Sequence, residues 1–140
     1  MEQQNRYKLG KEARLKSRKL IDRLFKDGKS FSVLPFRVIF QLTKLPVSPV
    51  AFQLQAGFSV SKRHFKKAVD RNRIKRLMRE AYRLQKNELE LMVKSNPIQF
   101  VFFIIYTGKD IPNYQLVFKK IKGILLKLQK ILNETIDANT

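Results

Sequence analysis

Apolar positions change their spacing several times along the chain, and each change predicts an element. Ser17 has the short hydroxyl side chain of a helix N-cap. Behind it, in "RKLIDRLFKDG", Leu20, Ile21, Leu24 and Phe25 recur at helical spacing until Gly28 closes the turn. From Ser30 to Thr43, "SFSVLPFRVIFQLT" turns to β-branched and aromatic residues in near alternation, Phe36, Val38 and Phe40 against Arg37 and Ile39, which predicts one or two strands. The two prolines of "KLPVSP" predict a loop, and "VAFQLQAGFSVS" resumes strand character, with Gly57 marking a bulge or a close approach. A helix is expected from about Ala68 toward Lys94, ended by Pro97. The run "IQFVFFIIY" from Ile98 to Tyr106 reads as a buried strand and "TGKDIPN" as a turn. In the last segment Val117, Ile121, Ile124, Leu125, Leu128 and Leu132 form a helical stripe, with Lys119, Lys120, Lys122, Lys127 and Lys130 mostly off it. The predicted order is α, β, β, β, α, β, α.

A chain of 140 residues, 44% of them hydrophobic, suits one domain with its own core. Residues 1–13 are expected to be a basic, mobile arm and residues 14–140 a single domain. Charge changes the picture more than size does. Thirty Lys and Arg against 11 Asp and Glu leave a net +19, beyond what solubility requires and self-repelling without a polyanionic partner. Nucleic acid is the first candidate. An anionic membrane is the second, but the longest apolar run is about half a spanning helix, and the apolar residues opposite the basic positions are needed to close a core. The N-terminal stretch has no apolar core of a signal peptide, so the cytoplasm is the expected location. The absence of cysteine removes disulfides, thiolate chemistry and the usual zinc sites.

The charge is concentrated. Residues 61–83 hold ten basic and two acidic side chains, and residues 1–29 hold ten and four. On a helical wheel Arg71, Asn72, Lys75, Arg76, Arg79 and Arg83 share one arc, and Ile74, Leu77, Ala81 and Leu84 the opposite one. Such a helix is pinned by one face and offers guanidinium and ammonium groups on the other, a geometry suited to phosphates.

The stretch "SVSKRHFKKAVDRNRIKRLMREAYR" resembles the signature of the bacterial ribonuclease P protein subunit, whose arginine-asparagine-arginine motif is matched by Arg71, Asn72 and Arg73. The resemblance extends back through "RLKSRKLIDRLFKDGKSF" and forward through "FVFFIIYTGK", and so covers nearly all the chain in the same element order. Two departures stand out. Where the family often has a glycine before the basic helix, this chain has "RHFKK", one residue longer, and Ile21 stands where many relatives have an aromatic.

The resemblance implies an α/β (α+β) two-layer sandwich with a four-stranded central sheet, helices packed on it and a left-handed βαβ crossover, against the general right-handed rule. It further implies a subunit of the endoribonuclease that removes the 5′ leader of precursor tRNA, working in the cytoplasm with one protein per ribonuclease P RNA and no membrane partner. Catalysis then belongs to the RNA subunit, with Mg2+ bound mainly by RNA and substrate. The residues agree with that division, since the chain has one histidine and no clustered carboxylates. Ser59, Ser61 and His64 lack an orienting carboxylate nearby in sequence.

By the same resemblance Arg71, Asn72, Arg73, Lys75, Arg76 and Arg79 contact the RNA subunit. For Arg73, at the edge of the basic arc, a structural pair with Asp70 or Glu80 is the competing reading, and Asn72 suits either RNA or a local backbone cap. The pre-tRNA leader is expected in a cleft between the first helix and the sheet, where unpaired bases stack on aromatic rings. The matching positions are Ile21 and Phe25 on the helix and Phe36, Val38 or Phe40 on the second strand; Lys62 and Arg63, after the third, suit leader phosphates or other RNA. For Phe25 and Phe40 a core role competes with a leader role. A general RNA-binding protein, such as a ribosomal protein, would share the charge and size.

Overall fold

The computed structural model describes residues 14–45 and 52–138, so the expected N-terminal arm and most of the proline loop lie outside the described residues. Helix α1 spans Arg18–Asp27, followed by strands β1 (Lys29–Val33), β2 (Phe36–Lys44) and β3 (Leu54–Val60). Helices α2 (Ala68–Gln85) and α3 (Asn87–Lys94), strand β4 (Ile98–Tyr106) and helix α4 (Tyr114–Ala138) complete the order. The one change from the predicted order is that the long basic helix is two helices.

That break was silent in the sequence because Lys86 keeps a helix-compatible backbone (φ −76°, ψ −13°) and the apolar rhythm continues across it. Tertiary ties accompany the turn. The Gln85 side-chain amide donates to the Ala81 and Phe118 carbonyls, and Leu89 and Val93 are buried beyond it. Lys86 pairs with Glu90 at 2.6 Å. At the other end Ser17 caps α1 as expected, its hydroxyl accepting from the Leu20 amide.

The sheet runs β1-β2-β4-β3, with β1, β2 and β4 antiparallel in turn and β3 parallel to β4. Alternation divides each strand between two faces. On one face Phe36, Val38 and Phe40 of β2, Phe100, Phe102 and Ile104 of β4, and Leu54 and Ala56 of β3 form the main core with α2, α3 and α4. All six residues of the predicted α4 stripe are buried there. On the other face Ile39 and Val101 meet Leu15 and Leu24 in a smaller cluster, which seats α1. Helices therefore flank the sheet on both sides, and the α1 side is only partly covered.

Beyond β3 the chain entering α1 pairs with the sheet edge at one point. The Leu15 amide donates to the Ala56 carbonyl at 3.0 Å, and Arg14 pairs with Ala56 in a parallel bridge. The contact satisfies one backbone carbonyl of that edge.

Candidate nucleic-acid interface

Helix α2 buries Ile74, Met78, Ala81 and Tyr82 and half-buries Leu77. Leu84, placed on the core arc by the wheel, is 51% exposed, because Met78 and Tyr82 draw the buried face about a quarter turn away from it. Opposite the core, Asn72, Arg73 and Arg76 are exposed, while Lys75 and Arg79 are half-buried on the flank toward β3.

Neighbours divide the motif. Arg71 is not wholly on the free ridge: its Nη1 donates to the Phe65 and Lys66 carbonyls, both at 2.8 Å, tying the helix start to the preceding loop. Phe65, in the longer "RHFKK" loop, is buried against Tyr106 with ring centroids 6.1 Å apart. Arg73 makes no ion pair among the described residues. The Glu80 carboxylate is instead taken by Arg83 at 2.7 and 3.1 Å, bonds that hold its pKa below the usual carboxylate range against the opposing effect of burial. Asn72 caps nothing among the described residues.

The open part of the other sheet face forms a groove beside α1. Phe25 is 50% exposed and its ring meets Phe103 of β4 at 5.6 Å between centroids, tilted by 57°. Ile21 packs at the margin of the small cluster, and Ile105 lines the same face. Exposed Arg37 lies opposite Ile105 in the strand register. Lys62 and Arg63 are exposed in the turn after β3, as is His64.

Two expected groove residues are elsewhere. Phe36 is 0% exposed and Phe40 is 7% exposed, both in the main core together with Val38. Their parity on β2 points them at α2, α3 and α4, and Phe36 packs on Tyr106 at 5.3 Å. In their place the groove has Phe103, Ile105 and Arg37. The available signal was Arg37: the alternation that holds the polar residues Arg37, Gln41 and Thr43 marks the wetter face.

Gly57 is a close approach and not a bulge, since the β3–β4 register is continuous from Leu54 to Val60. A Cβ at Gly57 would overlap the Phe103 ring, which leans over the β3 backbone. Just there a cavity of about 230 Å³ opens, lined by Lys16, Gly57, Phe103 and the cations Arg14, Lys75 and Arg79. Burial, and after it the like charges of Arg14 and Arg76, hold the Arg79 guanidinium below its ordinary pKa. The ridge of α2 and the groove beside α1, on opposite faces of one sheet, thus meet around the β3 edge.

Among the described residues no group of three or more His, Cys, Asp or Glu side chains could hold a metal ion. No described helix is long and apolar enough to cross a membrane.

The family model for Ribonuclease P matches residues 9–129. The chain is 33% identical over 120 residues to the "Ribonuclease P protein component" of Porphyromonas gingivalis strain ATCC 33277, covering 86% of this chain and 85% of that one. It is 34% identical over 126 residues to the protein of the same name from Dictyoglomus turgidum, covering 87% and 90%. Among solved structures, the RNase P protein of Thermotoga maritima superposes with a TM-score of 0.59 at 26% identity, covering 80% of this chain and 94% of that one. The Staphylococcus aureus RNase P protein, at 23% identity and a TM-score of 0.60 over 87% and 99%, is a likeness of fold. With the arginine-asparagine-arginine helix packed on a mixed four-stranded sheet, the chain belongs to the bacterial ribonuclease P protein family.

Proposed function

We propose that this protein binds the RNA subunit of ribonuclease P through the α2 ridge and holds the 5′ leader of precursor tRNA in the groove beside α1. Bound in this way, one protein to each RNA, it assists endonucleolytic release of the leader in the cytoplasm. The observation that carries the reading is the meeting of a cationic ridge and an aromatic groove around one sheet edge. Two RNA elements held there lie side by side. The ridge suits folded RNA, whose phosphates ask for guanidinium and ammonium groups and no base recognition. The groove suits an unpaired strand, whose bases stack on rings such as Phe25 and Phe103 while cations follow the backbone.

The side chains fit a supporting part in the hydrolysis. In this reading Mg2+ is bound mainly by the RNA subunit and the substrate, as the family resemblance implies. The protein's share is positioning and charge neutralisation: each phosphate met by Lys or Arg releases condensed counterions and lowers the demand for added cations.

Cleavage of precursor tRNA at low Mg2+ tests this, using a bacterial ribonuclease P RNA with the protein, without it, and the protein alone. Stimulation that requires the RNA is the expected result. Tight RNA binding without stimulation would leave a general RNA-binding protein, and cleavage by the protein alone would move the chemistry into the chain.

Phe25→Ala sharpens the test. Its ring is half exposed, so the variant folds, and precursor tRNA affinity drops roughly fivefold to a hundredfold, the range for loss of one base–aromatic stack. Mature tRNA affinity stays the same. Equal losses for both RNAs would return Phe25 to the packing of α1.

A further inference from the structure

We propose that the cavity at the β3 edge is a single-nucleotide subsite, in which one unpaired base lies on the Phe103 ring and an adjoining phosphate is held by Arg14, Lys75 and Arg79. This deepens the groove reading given above and rests on it for the identity of the strand.

Three observations converge. First, cations from separate parts of the chain share one cavity: Arg14 and Lys16 from the segment pairing with β3, Lys75 and Arg79 from α2. Among the described residues no carboxylate lines it, and the like charges there repel one another. Second, the Arg14 Nε is buried and has no hydrogen-bond partner among the described residues, a costly state for a donor that a phosphate oxygen would relieve. Third, the aromatic floor is built in. Because Gly57 has no side chain, the Phe103 ring leans across β3 and lines the same cavity as the cations, with Phe25 beside it.

An inorganic anion would use the cations and not the ring; a nucleotide uses both. At about 230 Å³ the cavity is smaller than the roughly 300–1,000 Å³ that encloses a free small molecule. That size suits one nucleotide of a strand that continues past it.

The test uses the full-length protein and a short single-stranded RNA carrying 2-aminopurine at successive positions, with precursor and mature tRNA binding to the holoenzyme measured in parallel. The wild type is expected to quench 2-aminopurine at one position. Phe103→Leu, which keeps apolar cover, and Gly57→Ala, which displaces the ring and keeps every cation, each abolish that quench and lower oligonucleotide affinity roughly tenfold. Arg14→Gln keeps the quench and reduces the salt slope by about 0.7, the value for one phosphate of a single strand. Titrated alone, inorganic phosphate is weakened by Arg14→Gln and untouched by Phe103→Leu. Circular dichroism confirms folding, and the Gly57 and Arg14 variants decide the matter if Phe103→Leu does not fold.

A wild-type protein that gives no position-specific quench, or variants that retain it, would overturn the subsite. The leader reading is judged separately by the preference of the wild-type holoenzyme for precursor over mature tRNA. Loss of that preference with the quench intact removes the leader assignment and keeps the subsite; the reverse removes the subsite alone.

Discussion

Replacing Arg73 and Arg76 together with alanine is expected to lower affinity for the ribonuclease P RNA roughly a hundredfold and to leave the fold intact. Both side chains are exposed on α2, and neither takes part in an ion pair or hydrogen bond among the described residues. Their loss therefore removes no internal contact, and alanine is the better helix former. A hydrogen bond to a charged group contributes about 1.5–3 kcal/mol, and each 1.4 kcal/mol is about tenfold, so two contacts at the lower end give the stated loss. The salt dependence is the more specific readout. Each phosphate contact contributes about 0.7 to 0.9 to the slope of log affinity against log salt, so the double variant should be flatter by roughly 1.4 to 1.8. An unchanged slope with unchanged thermal stability would take the exposed ridge out of the RNA interface.

The second large effect concerns stability. Phe36→Ala is expected to destabilise the protein by about 3–5 kcal/mol, a large part of the roughly 5–15 kcal/mol that holds a domain of this size. The ring is fully buried between β4 and the helical layer, packed on Tyr106, and truncation leaves a cavity lined by side chains that collapse only partly. Urea unfolding measures the loss directly. Molecules of the variant that remain folded should discriminate precursor from mature tRNA as the wild type does. A variant of wild-type stability that loses only this discrimination would place Phe36 at the leader after all.

Phe36 also marks the limit of what the sequence discloses. The α4 stripe was read position by position, because one-sided burial writes a 3.6-residue period into the chain. The alternation of β2 was equally plain: Phe36, Val38 and Phe40 do share a face. Period alone does not say which layer that face meets, and here helices lie on both sides of the sheet. The groove beside α1 is therefore lined by Phe103 and Ile105, on the opposite parity, and not by Phe36 and Phe40. In "FVFFIIY" every position is apolar, so β4 carries no alternation from which Phe103 could have been singled out. Lys86 is a break without a breaker, and Arg71 is a motif residue partly spent on the Phe65 and Lys66 carbonyls. Both depend on contacts distant in space or on backbone geometry that composition does not encode.

The two faces of the sheet are unequally anchored, and under the proposed function this bears on how one small protein would serve two very different RNA partners. Behind the ridge lies the main core of three helices; behind α1 lies a cluster with four buried members among the described residues, Leu15, Leu24, Ile39 and Val101. Local opening free energies follow buried apolar contact, so amides of α1 should exchange with solvent by a lower-energy route than those of β4. Under the proposed function the ridge would be a rigid template for an RNA of one fixed shape. The groove would have a compliant wall, able to yield around strands whose nucleotides differ from one precursor to the next.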